Sequence, residues 1–157
     1  MDKDHVVHLS PAWRDRADFV IDADIAEDDS PRKWEQLWCK RIGANRYIVC
    51  CIPFFVYDLA LGDEISARPV GAKEHVLDRV LGQSGRFVFR VWLGDADEPC
   101  LEEEVVEHLR KLGCELEWYS DHLLAVDADS EDCAQRTADY LHRLECKGKL
   151  RYETGKT

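Results

Sequence analysis

Residues 86–93, Arg86-Phe87-Val88-Phe89-Arg90-Val91-Trp92-Leu93, decide how the chain is read. Phe87, Phe89, Val91 and Leu93 occupy one phase of a two-residue repeat and Arg86, Val88, Arg90 and Trp92 the other, the pattern of a strand with two unlike faces. Downstream, residues 94–99 read as a loop. Leu101, Val105, Leu109 and Leu112 then recur at three and four residues, which predicts an amphipathic helix ended by Gly113. Short β-like runs at 115–119 and 123–127 meet at Ser120-Asp121, a second helix follows over 131–146 with Ser130 as its N-cap, and 150–153 reads as a last strand. The order β-α-β-β-α-β predicts a ferredoxin-like half over 86–157, with two helices on one face of a four-stranded antiparallel sheet. Its other face would carry Val88, Arg90 and Trp92 with Glu115, Glu117 and Tyr119, and must be covered by the first half, a second copy or a partner.

Upstream, residues 82–85 are rich in Gly and Ser and mark a boundary. Phe19, Ile21, Ala23 and Ile25 alternate with Val20, Asp22 and Asp24, as in a strand with one wet face. Glu35, Leu37 and Cys39 alternate with Trp34, Gln36, Trp38 and Lys40; with the apolar run 47–52 and the turn-forming Gly43-Ala44-Asn45 this predicts a hairpin. Gly62-Asp63 reads as a tight turn into a strand reaching about residue 68, and 75–81 as a further strand. Five short strands without a helix predict a small antiparallel β-barrel or curled sheet over 17–81, preceded by an arm over 1–16 that Trp13 would anchor. The fold class expected for the whole chain is α+β.

The 157 residues are 45% hydrophobic and 34% charged, with a formal net charge of −11. Five each of Trp, Tyr and Phe argue for a folded core in spite of the acidity. Such a charge disfavours binding nucleic acid, which rests on Lys and Arg neutralising phosphates. Pro53 interrupts the longest apolar run, 48–57, so no membrane-spanning stretch is expected, and residues 1–5 lack the character of a secretion signal; a cytoplasmic protein is expected. Seven cysteines, odd in number and without a C-x-x-C pair, are expected to be thiols behaving as small hydrophobes.

The terminal Gly155-Lys156-Thr157 has the ending of a phosphate-binding loop, but six residues rather than four separate Gly148 from Gly155, so that motif is rejected. Ser120-Asp121-His122 has triad residue types, yet neighbours on a turn point apart, and a hairpin turn explains all three. No His or Cys spacing suggests a metal, and no cofactor is expected. Residues 1–81 carry 15 acids and 11 bases and residues 82–157 carry 17 and 10, so acidity concentrates in the second half. The expected function is non-enzymatic: an acidic immunity protein or inhibitor covering the basic active site of a toxin such as a nuclease, with Asp95, Asp97, Glu98, Glu102, Glu103 and Glu104, and secondarily Asp28 and Asp29, as the binding residues. The alternative is a regulatory small-molecule module in which Arg90 would contact an anion and Trp92 a ring.

Trp34-Glu35-Gln36-Leu37-Trp38, Ile52-Pro53-Phe54, Leu61-Gly62-Asp63 and Ser84-Gly85 followed by Arg90 resemble the marker segments of a bacterial domain-of-unknown-function family numbered 4265, best over residues 17–93. The resemblance implies a bacterial cytosolic origin and no established catalytic residues. Arg86 stands where the resemblance leads one to expect a His.

Overall fold

The computed structural model describes residues 4–26, 31–94 and 99–156. The alternating segments of the first half become β1 (Asp4–Val6), β2 (Phe19–Asp24), β3 (Lys33–Gly43), β4 (Arg46–Val49), β5 (Glu64–Val70) and β6 (Glu74–Gly82). They form one sheet in the order β1-β3-β2-β6-β5-β4, and a further β3–β4 pairing closes five of them into a barrel-like ring. The eleven-residue β3 makes closure possible, because Trp34 to Cys39 pair with β2 and Cys39 to Gly43 with β4. Expectation and structure differ in one pairing: β2 meets β6 in parallel, through Asp22 and Val76. An odd number of strands cannot close with every neighbour antiparallel, so one seam must run parallel. The inward phase of these strands packs Ile21, Ala23, Leu37, Cys39, Tyr47, Val49, Ile65 and Ala67 into one apolar cluster.

The arm is more structured than its lack of periodicity suggested. Its β1 runs parallel to β3, pairing Val6 with Glu35, and a 3-10 turn over Arg14–Arg16 follows. Trp13 does anchor it: its N–H donates to the Cys50 carbonyl at 2.9 Å, and its ring lies against Gly62. Gly62 has φ +85, and a Cβ there would stand 3.2 Å from the Trp13 ring. Glycine thus serves both the turn and the close approach.

In the second half come β7 (Phe87–Trp92), α1 (Pro99–Lys111), β8 (Glu115–Trp118), β9 (Leu123–Ala128), α2 (Glu131–Cys146) and β10 (Arg151–Lys156). The four strands form a second, antiparallel sheet in the order β10-β7-β9-β8. Both helices pack on one face, where Phe89, Val91, Leu101, Val105, Leu109, Leu124, Val126, Leu141 and Leu144 make a second apolar cluster. Ser130 caps α2 by accepting from the Cys133 N–H at 3.1 Å, and Ser120 Oγ accepts from His122 and Leu123 N–H within the β8–β9 turn. The last strand reaches Lys156, beyond the segment 150–153 that patterning indicated, because its continuation is held by the first half.

The face away from the helices meets the first half. Val88 and Ala125 join Val6, Ile52, Phe54, Ala60 and Leu61 in a third cluster spanning both halves. Of the residues expected on that face, Val88, Arg90 and Glu117 are buried, whereas Trp92, Glu115 and Tyr119 stay exposed. The seven cysteines are free. Among the described residues no helix is long and apolar enough to cross a membrane.

At the seam the Asp58 N–H donates to the Gly155 carbonyl at 2.8 Å, and a Cβ on Gly155 would stand 3.1 Å from the Arg90 guanidinium and from Val88. Gly155→Ala therefore overpacks a buried contact and is expected to cost about 1–3 kcal/mol in urea unfolding. Thr154→Ala, at an exposed neighbour, should stay within about 0.5 kcal/mol of the parent.

Candidate functional site

Glu35 sits on the inward phase of β3, in register with apolar Leu37 and Cys39, and it is fully buried. A carboxylate there needs partners, and the first is His8, two residues beyond β1. His8 Nε2 lies 2.7 Å from Glu35 Oε2, and His8 Nδ1 lies 2.8 Å from Oε1 of Glu117 on β8. The imidazole stacks on Phe54 with ring centroids 4.1 Å apart. Backbone N–H groups of Phe54, Phe55 and Val56 donate to Glu35, and those of Ile52 and Ala12 donate to Glu117. These five donors stabilise the negative charge left when one imidazolium faces two carboxylates.

Each ring nitrogen of His8 faces a carboxylate oxygen, so both carry protons. Burial works against that charge, but the Cys51 sulfur and the carboxylates of Glu117 and Glu35 outweigh it and push the imidazole from 6.5 up to about 12. Burial likewise opposes ionisation of Glu35, and hydrogen bonding and attraction to His8, with the Phe54 and Phe55 amides, hold its carboxyl below the usual range. Cys51 adds a thiol beside the ring, giving the residue types of a nucleophilic centre. Its chemistry is different. A doubly protonated imidazole cannot take a proton from sulfur, and burial pushes the thiol up. The cluster is a clamp joining the arm, the first sheet and the second sheet.

Two more ion pairs, each with a fully buried carboxylate, join segments distant in sequence. Asp63 accepts from Lys156 Nζ at 2.6 Å and from the Ala60 and Ser84 N–H groups at 2.9 and 2.8 Å. Arg86 donates to both oxygens of Asp127, and the pairing raises the guanidinium further. Asp127 is nonetheless raised, because burial outweighs the attraction of Arg86. The arginine found where a His was expected thus pairs with a buried acid on β9 and sits 5.2 Å from the Trp13 ring centre. Arg90, expected to contact a ligand anion, is 3% exposed; it donates to the Val56 carbonyl, lies 3.4 Å from Glu153 and has its guanidinium 4.7 Å from the Tyr57 ring centre.

The expected surface residues fall into two groups. Asp28, Asp29, Asp95, Asp97 and Glu98 lie outside the described residues. Glu102, Glu103 and Glu104 project from the first turns of α1, all exposed. Trp92 is 42% exposed and borders two adjoining cavities of about 760 and 240 Å³ beside β10. Among the described residues no group of three or more His, Cys, Asp and Glu side chains has a metal-holding arrangement. Sequence reading missed His8, Glu35 and Glu117 as a unit. The available signal was Glu35 on the apolar phase of a strand; Glu117 shares its phase with Glu115 and Tyr119 and carried none.

A histidine whose folded-state pKa is raised stabilises fully below its unfolded value of 6.5, and that contribution drains away as pH climbs toward about 12. Glu35, lowered on folding, contributes above the ordinary carboxylate range and loses its contribution as pH falls. Stability should therefore decline above neutrality by about 1 kcal/mol per pH unit. His8→Gln should lower stability by about 3–5 kcal/mol at neutral pH and flatten that decline, as urea titrations from neutral to alkaline pH would measure.

A solved structure described as a hypothetical protein from Neisseria gonorrhoeae resembles this chain with a TM-score of 0.75 at 16% identity, over 87% of this chain and 93% of that one. At that identity the likeness shows the fold alone. No curated protein matches the sequence. The family described as Domain of unknown function (DUF4265) matches residues 35–152, a span that holds Glu35, Asp63, Arg86 and Glu117, and the chain belongs to that family.

Proposed function

We propose that the protein acts by binding, as an acidic immunity protein or inhibitor that covers the cationic active site of a partner toxin, a nuclease in particular, in the cytoplasm. The observation that carries this is the charge on α1. Glu102, Glu103 and Glu104 are consecutive and exposed, and none takes part in an ion pair among the described residues. Elsewhere on the helices, Glu107 pairs with Lys111 at 3.2 Å and Asp132 with Arg136 at 3.0 Å. Unmatched carboxylates on a rigid helix attract a basic surface over a distance and speed encounter at low salt. The buried clamp and ion pairs have their hydrogen-bonding capacity directed inward, which leaves the surface to carry recognition. The βαββαβ order and the strand order β10-β7-β9-β8 support a ferredoxin-like description of the second half, in which α1 presents one side of an outer helical layer.

The test is association of the full chain with the basic product of the neighbouring gene, measured across ionic strength. Glu102→Lys, Glu103→Lys and Glu104→Lys together should slow association at least about tenfold at low salt and weaken its salt dependence. The triple Gln variant, gentler on the helix N-terminus, should fall between. Unchanged association of both variants, or failure of the protein to relieve toxicity of that gene product in cells, would overturn the proposal.

A further inference from the structure

The end of the second sheet beside α2 has an electrostatic character opposite to that of the chain. Trp92 and Arg151 are register partners on β7 and β10, and Arg90 and Glu153 are the next pair along the same face. The cavity of about 760 Å³ is lined by Trp92, Glu145, Lys149, Arg151 and Tyr152, among others. The adjoining one of about 240 Å³ shares Trp92, Arg151 and Tyr152 and reaches Arg90 and Glu153. Both acids are engaged. Glu145 Oε2 accepts from the Tyr152 N–H at 3.0 Å, and Glu153 accepts from the Tyr57 hydroxyl at 2.9 and 3.0 Å besides facing Arg90. The cations are not all so engaged: among the described residues Lys149 and Arg151 form no ion pair. Arg90, 3% exposed, has a buried Nε without a hydrogen-bond partner.

We infer that this groove binds a planar organic anion, its charged group held by Arg151 and Lys149 and its ring laid against the exposed Trp92 indole. An indole with an exposed face stacks rings, and cations attract an anion into a molecule whose net charge of −11 otherwise repels it. The larger cavity has the volume of small-molecule sites in general. Mononucleotides and aromatic carboxylates share this chemistry. The site uses residues other than the α1 carboxylates, so it stands independently of the proposed protein partner.

The experiment is calorimetric titration of the full chain with adenosine 5′-monophosphate and with indole-3-carboxylate, alongside adenosine and inorganic phosphate as the separated parts. One planar anion should bind with a Kd of about 0.1 mM or tighter, and which of the two does so identifies the source. Trp92→Ala and Arg151→Ala should each weaken it about tenfold, with Thr154→Ala unchanged. Phosphate or adenosine alone should bind at least about tenfold more weakly. Absence of binding by both planar anions at about 5 mM, binding indifferent to Trp92→Ala and Arg151→Ala, or phosphate alone binding equally well would each overturn the inference.

Discussion

One imidazolium between two buried carboxylates organises this molecule. His8 comes from the arm, Glu35 from the barrel-like sheet and Glu117 from the second sheet, so the three cannot meet until all three segments are in place. Removing ions from water costs several kcal/mol each, and close attraction with complete hydrogen bonding is what offsets that cost. Completeness comes from the segment 52–56, whose successive amides point at the two carboxylates, and from Phe54, which covers one face of the ring. The irregular stretch between β4 and β5 is therefore fixed by the charges it solvates, without any ladder of its own.

The same logic repeats along the seam between the sheets. Asp63 with Lys156 and Arg90 with the carbonyls of Pro53 and Val56 each tie one half to the other, Asp127 with Arg86 fixes the neighbouring end of the second sheet, and apolar contacts fill the spaces between them. Apolar packing supplies most of the driving force, while paired charges penalise misaligned docking, because a displaced strand would leave an ion without its counterion. Segments whose resemblance first pointed to a family turn out to sit at these places. Glu35, the 52–54 turn, Asp63 and Ser84 all belong to the hydrogen-bonded seam.

Much of the architecture was legible in the pattern of residues. The two-residue repeat at 86–93 and the three-four repeats of both helices survive in the fold because their apolar phases face a single core. The parallel β2–β6 seam was not legible, since closure of a ring depends on strand number rather than on any local pattern. Nor was β1, whose three residues are too few to show a period. The buried clamp was hidden for a different reason. Glu35 looks like a solvated acid unless its phase is weighed against its charge, Glu117 shares its phase with exposed Glu115, and His8 lies 27 and 109 residues from its partners, a separation that no spacing rule addresses. Arg90 was read as available because its neighbours in sequence alternate outward, whereas the covering layer comes from residues around 53–57.

Lys156 follows Asp63 by 93 residues. During synthesis at about 5–20 residues per second, the aspartate is joined to the chain roughly 5–20 seconds before its counterion is. Until then the turn at Gly62 has only the Ala60 and Ser84 amides to hold the acid, and water must supply the rest. The first sheet can close during this interval, but the site where the final strand docks stays hydrated, so a ribosome stalled in that span would carry a barrel whose seam is still wet.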